Sequence, residues 1–319
     1  MNRGYQISKG RLLESDKFEN SVWFDLHSPT REEEAALEKH LAIKLPTRED
    51  MEEIEISSRL YEEDGAVFMT VQLPSSTEEG NTTMGPVTFV LTAEKLATIR
   101  YHDPRSFSIF VERATRHGLA GENGEAVFLG LFETIVDRLA DIIERAGRNL
   151  LPISQGIFRN PEPKSAPSRD YRLYLETIGR TGDLISDILE SLMTLDRAVG
   201  YYPEHFVHQD GTEVKRSRLK TITHDLHSIG DHAGLLSGKI TLLLDATLGM
   251  IGIEQSAIIK IFSVAAVIFL PPMVVASLYG MNFKFMPELD WLLGYPFAIG
   301  LMILSAVLPY WFSKRKGWL

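Results

Sequence analysis

Residues 261–283 form 23 positions without a formal charge, bounded by Lys260 and Lys284. At about 1.5 Å rise per residue, a helix of that length crosses a hydrocarbon core about 30 Å thick. A second uncharged run, residues 291–313, follows after a short loop and ends in Lys314, Arg315 and Lys316. Two such runs so close together predict a membrane hairpin, with transmembrane helices over about 258–280 and 292–313 and a loop over 281–291.

The first run is not uniform. At helical spacing one narrow stripe reads Ser256, Ile259, Ser263, Ala266, Leu270, Met273, Ser277 and Gly280, mostly small or weakly polar. Ile258, Ile261, Val264, Val267, Ile268, Val274 and Val275 fall elsewhere and suit lipid or helix contacts. The stripe has two readings: a packing seam between membrane helices, which favour small residues there, or the wall of a water path. Asn282 bears on the choice. Repeated around a symmetry axis, its carboxamide makes a ring of neutral oxygens that hydrogen-bond a cation's water shell. Such a ring suits Mg²⁺, which gives up its waters reluctantly.

At these residues the chain resembles the CorA magnesium channels. Tyr279-Gly280-Met281-Asn282, then Met286-Pro287-Glu288-Leu289 and Gly294-Tyr295-Pro296, follow that family's signature in order and spacing, and Lys314-Arg315-Lys316-Gly317-Trp318-Leu319 matches its ending. The close match runs from about residue 245 to 319; upstream, the likeness is in layout more than in residues. The resemblance implies a homopentamer with Gly280, Met281 and Asn282 as selectivity filter. It implies Mg²⁺ influx driven by the membrane potential and feedback by intracellular Mg²⁺. It also places the family's apolar constriction at Ile259, Phe262 and Leu270. Two positions depart from the pattern: Met273 stands where members often have threonine, and Ser256 where several have asparagine.

Charge is divided unevenly. Residues 256–319 hold five Lys/Arg and two acids, so the other 255 carry 28 Lys/Arg and 41 Asp/Glu, a net −13 within a whole-chain −10. An acidic soluble part argues against a nucleic-acid partner, which wants a basic surface. It fits either ordinary solubility or weak divalent-cation sites where acidic faces of neighbouring copies meet. There is no cysteine, hence no disulfide and no thiolate metal site. No apolar run in the first 50 residues suggests a signal peptide, so the soluble part is expected in the cytosol. Lys314, Arg315 and Lys316 after the second run agree with the positive-inside rule, which places both termini in the cytosol; the resemblance implies a bacterial inner membrane for the hairpin.

Upstream, residues 1–118 read as mixed α/β. Strands are expected over 22–26, 53–60, 66–73, 87–91 and 96–101, with a helix over about 28–41 capped by Ser28 or Thr30 and another over 104–117. Residues 78–81 read as a turn. Helical periodicity covers 125–150 and 169–199, with the proline-bearing stretch 152–168 as the connection and Tyr202-Pro203 as a stop. From about Gly211 to Tyr279 proline appears only at Pro271 and Pro272, which predicts one stalk helix of roughly 65 residues, on the order of 100 Å long. The fold class is therefore an α+β cytosolic domain, a very long stalk helix and two transmembrane helices, a CorA-like funnel. Its parts are 1–165, 166–255 and 256–319. No phosphate loop or nucleophile elbow is visible, so an enzyme is not expected.

Three smaller constellations remain. His224, His227 and Asp231 share one ~60° arc of the stalk helix, as a Zn²⁺ site or as a wet polar face; His205 and His208 carry less signal. Asp245 interrupts an apolar series and lies near the face of Ser256, either as a ring of carboxylates at the inner mouth or as a solvated acid. Glu288 and Asp290 either gather cations at the outer mouth or sit in a polar loop. For the regulatory metal, Thr221 stands where a known sensing acid of the family would fall, with Asp225 a turn away. Mg²⁺ is expected as cargo and regulator, with Co²⁺ or Ni²⁺ as further cargo and no organic cofactor. The alternatives are a zinc transporter of the same superfamily, whose members often have Gly-Ile-Asn at the mouth, and a membrane-anchored sensor or scaffold without transport.

Overall fold

The computed structural model describes residues 2–15, 18–75, 82–119, 121–158, 171–206, 213–282, 286–287 and 291–316. These divide into two compact units, residues 1–244 and 245–319.

The first unit is built on a seven-stranded sheet in the order β2-β1-β3-β7-β6-β5-β4. Its strands are β1 (Asn2–Ser8), β2 (Arg11–Ser15), β3 (Trp23–His27), β4 (Leu60–Glu63), β5 (Ala66–Ser75), β6 (Thr83–Leu91) and β7 (Leu96–Arg100). Only β3 and β7 pair in parallel. Two tight hairpins fix the edges. Ser8 pairs with Arg11 across Lys9-Gly10, and Glu63 with Ala66 across Asp64-Gly65. All four loop residues have positive φ, the two-residue loop whose twist matches paired strands.

Each face of the sheet is covered. On one side Leu37 of α1 (Arg31–Leu41), Ile43, Leu45 and Met51 of α2 (Arg48–Glu52) close over Phe24, Leu26, Phe68, Val90 and Ile99. Thr30 caps α1 through a capping box with Glu33, and Thr47 caps α2 with Asp50. On the other side lie α4 (Arg105–His117), α5 (Gly124–Phe158), α6 (Tyr171–Phe206) and the first part of α7 (Glu213–Tyr279). There Phe89, Phe128, Phe132 and Tyr202 form one aromatic cluster with centroids 4.3–5.8 Å apart.

Three expectations need correction. Residues 53–60 are not a strand: 56–59 form a helical turn, α3 (Ile56–Arg59), and pairing begins only at Leu60. The alternation of Ile54 and Ile56 with Glu53 and Glu55 imitates a strand, yet Ile54 is 86% exposed and no sheet face takes it. The helix expected over 125–150 continues through Pro152 to Phe158, because the buried stripe goes on through Ile153 and Ile157 and offsets the lost hydrogen bond. Likewise α6 passes Pro203 and reaches Phe206. The turn expected at 78–81 and most of the connection lie outside the described residues.

The second unit holds the last part of α7 and α8 (Gly294–Arg315). These are the two helices long and apolar enough to cross a membrane among the described residues.

Candidate functional site: the exposed face of α7

Helix α7 runs unbroken through Pro271 and Pro272 and stops at Tyr279. The Gly280 amide donates to Ala276 O at 3.0 Å and the Met281 amide to Leu278 O at 3.3 Å, so the last turn tightens before the chain leaves the helix. A Cβ added at Gly280 would stand 3.2 Å from Ala276 O. Met281 and Asn282 follow outside the helix, both exposed. The Asn282 carboxamide has no hydrogen-bond partner among the described residues.

Within the second unit α7 has two unlike faces. Ser256, Ile259, Phe262, Ser263, Ala266, Leu270, Met273 and Ser277 are all exposed, Phe262 at 72%. The covered or half-covered positions are Val264, at 5%, with Ala265, Ile268, Pro271, Pro272, Val275 and Tyr279. At 100° per residue the two sets centre about 180° apart around the axis. So the stripe lies at the middle of the face one copy leaves uncovered, flanked there by the equally exposed Ile258, Val267, Phe269, Val274 and Leu278, and the opposite face is the one it packs. On α8 the buried positions are Gly294, Ala298 and Ser313.

The remaining sequence candidates are scattered. Asp245 is exposed on α7, at the start of the second unit. Asp225, Thr221, His224 and Asp231 are exposed on the part of α7 in the first unit; Thr221 Oγ1 donates to Ser217 O at 3.0 Å. His227 lies 3.3 Å from Asp196 of α6. His205, His208, Glu288 and Asp290 are side chains outside the description. No cluster of three His, Asp or Glu side chains able to hold a metal exists among the described residues. At the two ends of this face one chain supplies the Asn282 amide and the Asp245 carboxylate.

Electrostatics the sequence reading passed over lie on α6. Burial, then Asp183 and Glu190, push the Asp187 carboxyl above its ordinary range. The signal was present as acids spaced four and three residues apart on one helix. Further along α6, Tyr202 donates to Glu125 of α5, which also pairs with Lys215 of α7. Glu133 takes Arg218 on both oxygens at 2.8 and 2.9 Å. A cavity of about 660 Å³ opens next to these pairs, lined in part by Glu94, Lys95, Glu122, Glu125, Lys215 and Arg218.

The comparisons with known proteins bear on what this arrangement serves. The family described as CorA-like Mg2+ transporter protein matches residues 18–315. The chain belongs to that family. Curated relatives named magnesium transport protein CorA, from Pasteurella multocida and Escherichia coli, are each 34% identical over all of this chain and all of their own length. The likeness therefore extends well upstream of residue 245, where the residues alone had suggested shared layout more than shared sequence. The solved complete CorA magnesium transporter from Methanocaldococcus jannaschii superposes with a TM-score of 0.78 at 19% identity, covering 100% of this chain and 99% of that one. That likeness supports the CorA fold of a soluble α/β part, a long helix and a terminal helix pair.

Proposed function

We propose that the protein carries Mg²⁺ across a membrane through a path lined by the exposed stripe of α7. The observation that carries this reading is the pairing of that uncovered stripe with Gly280-Met281-Asn282 at its end, in a chain of the CorA-like family. Two membrane helices enclose nothing alone. The resemblance implies five copies around one axis, with α7 inside and α8 outside. Five Asn282 carboxamides then ring the mouth and hold Mg²⁺ by its water shell, which avoids the cost of stripping the ion. Gly280 leaves the chain room to turn there. Inward lie the hydroxyls of Ser277, Ser263 and Ser256, with Ala266 and Met273 between polar steps. Ile259, Phe262 and Leu270 form an apolar constriction that closes by losing its water.

Asp245 then offers a carboxylate ring at the inner mouth, and Glu288 with Asp290 gathers cations outside. The driving force is the membrane potential, about 2.3 kcal/mol per charge per 100 mV and twice that for a divalent ion. The cytosolic part, with both termini on its side of a bacterial inner membrane, senses intracellular Mg²⁺. An ion bridging acidic faces of neighbouring copies binds the closed arrangement better and holds the path shut. Asp225 is a candidate there. Co²⁺ and Ni²⁺ are further cargo; catalysis, an organic cofactor and nucleic acid have no part.

The test is ion uptake by vesicles holding purified protein. Mg²⁺ entry should follow an imposed inside-negative potential, exceed Zn²⁺ entry and fall at least tenfold in Asn282→Ala. Flux unchanged in that variant would remove the amide ring from the mechanism. Tight vesicles with wild type would favour a sensor or scaffold, and faster Zn²⁺ would favour the zinc branch.

A further inference from the structure

The end of α8 carries a pattern that ion passage does not use. Tyr310, Trp311 and Phe312 are each followed four residues later by a cation: Lys314, Arg315 and Lys316. Spacing of four puts each pair on one helix face, one turn apart. Two pairs are closed. The Arg315 guanidinium lies over the Trp311 ring, 3.8 Å from its centroid, and Lys316 Nζ lies 5.9 Å from the Phe312 centroid. All three aromatics are about half exposed, and all three cations are exposed.

The direction of these side chains matters. Cα–Cβ bonds in a helix tilt toward its N-terminus. Here that is back along α8 toward the apolar stretch, not onward into water. The Arg315–Trp311 stack holds a cation at the depth of the aromatic residues, the depth at which such rings sit among headgroups. A long cation at a helix end is free to extend into bulk water instead. Stacking uses the face of the guanidinium and leaves its in-plane N–H donors, a fork that fits a phosphodiester. None of the three cations has a carboxylate partner among the described residues, and α8 itself contains no acid.

We infer that the Tyr310–Lys316 collar is a binding surface for anionic phospholipid headgroups in the leaflet where α8 ends. The positive-inside bias explains only that charges are present. The register with the aromatics, and the stacking, set their depth and aim. The inference rests on the reading that α8 spans the bilayer, and on nothing about the ion carried. Three charges near an anionic surface favour such lipids by something on the order of 100-fold in total, so neighbouring lipids should be enriched severalfold over their bulk fraction.

Quenching of tryptophan fluorescence by chain-brominated lipids tests it. In a Trp291→Phe, Trp318→Phe background Trp311 is the tryptophan left in the hairpin, and Trp23 is buried in the first unit. In vesicles mixing phosphatidylcholine and phosphatidylglycerol, brominated phosphatidylglycerol should quench at least threefold more effectively than brominated phosphatidylcholine. Half-molar salt should erase the difference. So should the Lys314→Gln, Arg315→Gln, Lys316→Gln variant, which must still be quenched by brominated phosphatidylcholine to show that it has inserted. If that variant fails to insert, Arg315→Ala alone should lower the preference measurably.

Equal quenching by the two lipids in wild type would overturn the inference and hand the three cations to protein partners. Quenching by neither lipid would show that α8 lies outside the bilayer, and both the inference and the transport reading would fall. Mg²⁺ flux lost with the lipid preference intact would count against the transport reading alone.

Discussion

Asp25 and Arg100 show how single residues hold the first unit together. Their side chains are 7% and 8% exposed, and they meet at 2.9 and 3.0 Å on the parallel pair β3 and β7. Thr98 Oγ1 also donates to Asp25, and Trp23 Nε1 donates to Thr98. Arg100→Met would leave a buried carboxylate with one partner fewer, so a loss of about 3–5 kcal/mol is expected in denaturant unfolding.

His102 lies close by. Its ring is packed into the space left by Gly85, where a Cβ would come 2.7 Å from Nδ1. Gly85→Ala should cost about 1–3 kcal/mol, since both ring and strand are fixed. The His102 Nε2–H donates to Leu73 O at 2.9 Å, leaving Nδ1 buried without a partner. Burial first, then Arg100, lowers the pKa of this imidazole. The sign follows for a base: the unfolded chain takes the proton first. Stability from neutral His102 is present above about pH 6.5 and declines as pH falls below it. Replacing His102 by Gln should flatten that acid decline in urea midpoints; an unchanged slope would assign it elsewhere. Asp187 has the opposite sign. Its raised pKa disfavours the folded state at neutral pH, so Asp187→Asn should raise the thermal midpoint at pH 7, with the gain shrinking as pH drops through the carboxylate range.

Among the elements, those with strong local signals were legible and those decided by distant contacts were not. Strands β5, β6 and β7 were readable because their apolar runs are buried on both faces, and α1 because Thr30 and Glu33 announce its start. The β1–β2 hairpin was missed: Asn2–Ser8 has little apolar pattern, and only Lys9-Gly10 marks the turn. Helix α5 was cut short at Pro152, since proline is a local signal and Ile153 and Ile157 are a tertiary one. On α7 the faces were legible from periodicity. Which face stays uncovered needed coordinates, because the sequence carries no mark of what packs on Val264 and Ile268.

Helices α5, α6 and α7 meet at Glu125 and Glu133, where Lys215 and Arg218 tie the first turns of α7 to α5. The Arg218–Glu133 pair is bidentate and four-fifths covered on the arginine side. A double-mutant cycle of Arg218→Met and Glu133→Gln should show coupling of about 1 kcal/mol, more than exposed pairs usually give. Coupling near zero would mean that the apolar contacts of Leu219, Ile222 and Leu226 alone seat this end of the helix.

At the scale of the whole molecule, one chain provides an incomplete device. It exposes a stripe with the Asn282 amide at its end, and in the proposed reading copies around an axis turn that into a path. The chain contains no cysteine, so single cysteines can be placed without a background. The direct measurement is labelling of Ser263→Cys, Ala266→Cys and Ser277→Cys, against Val264→Cys and Ile268→Cys, with a charged, membrane-impermeant thiol reagent during Mg²⁺ uptake. The account predicts that the first three react and that reaction blocks uptake, while the last two stay unlabelled and uptake continues. Stripe positions that remain unlabelled in actively transporting protein, or equal labelling of both faces, would contradict it.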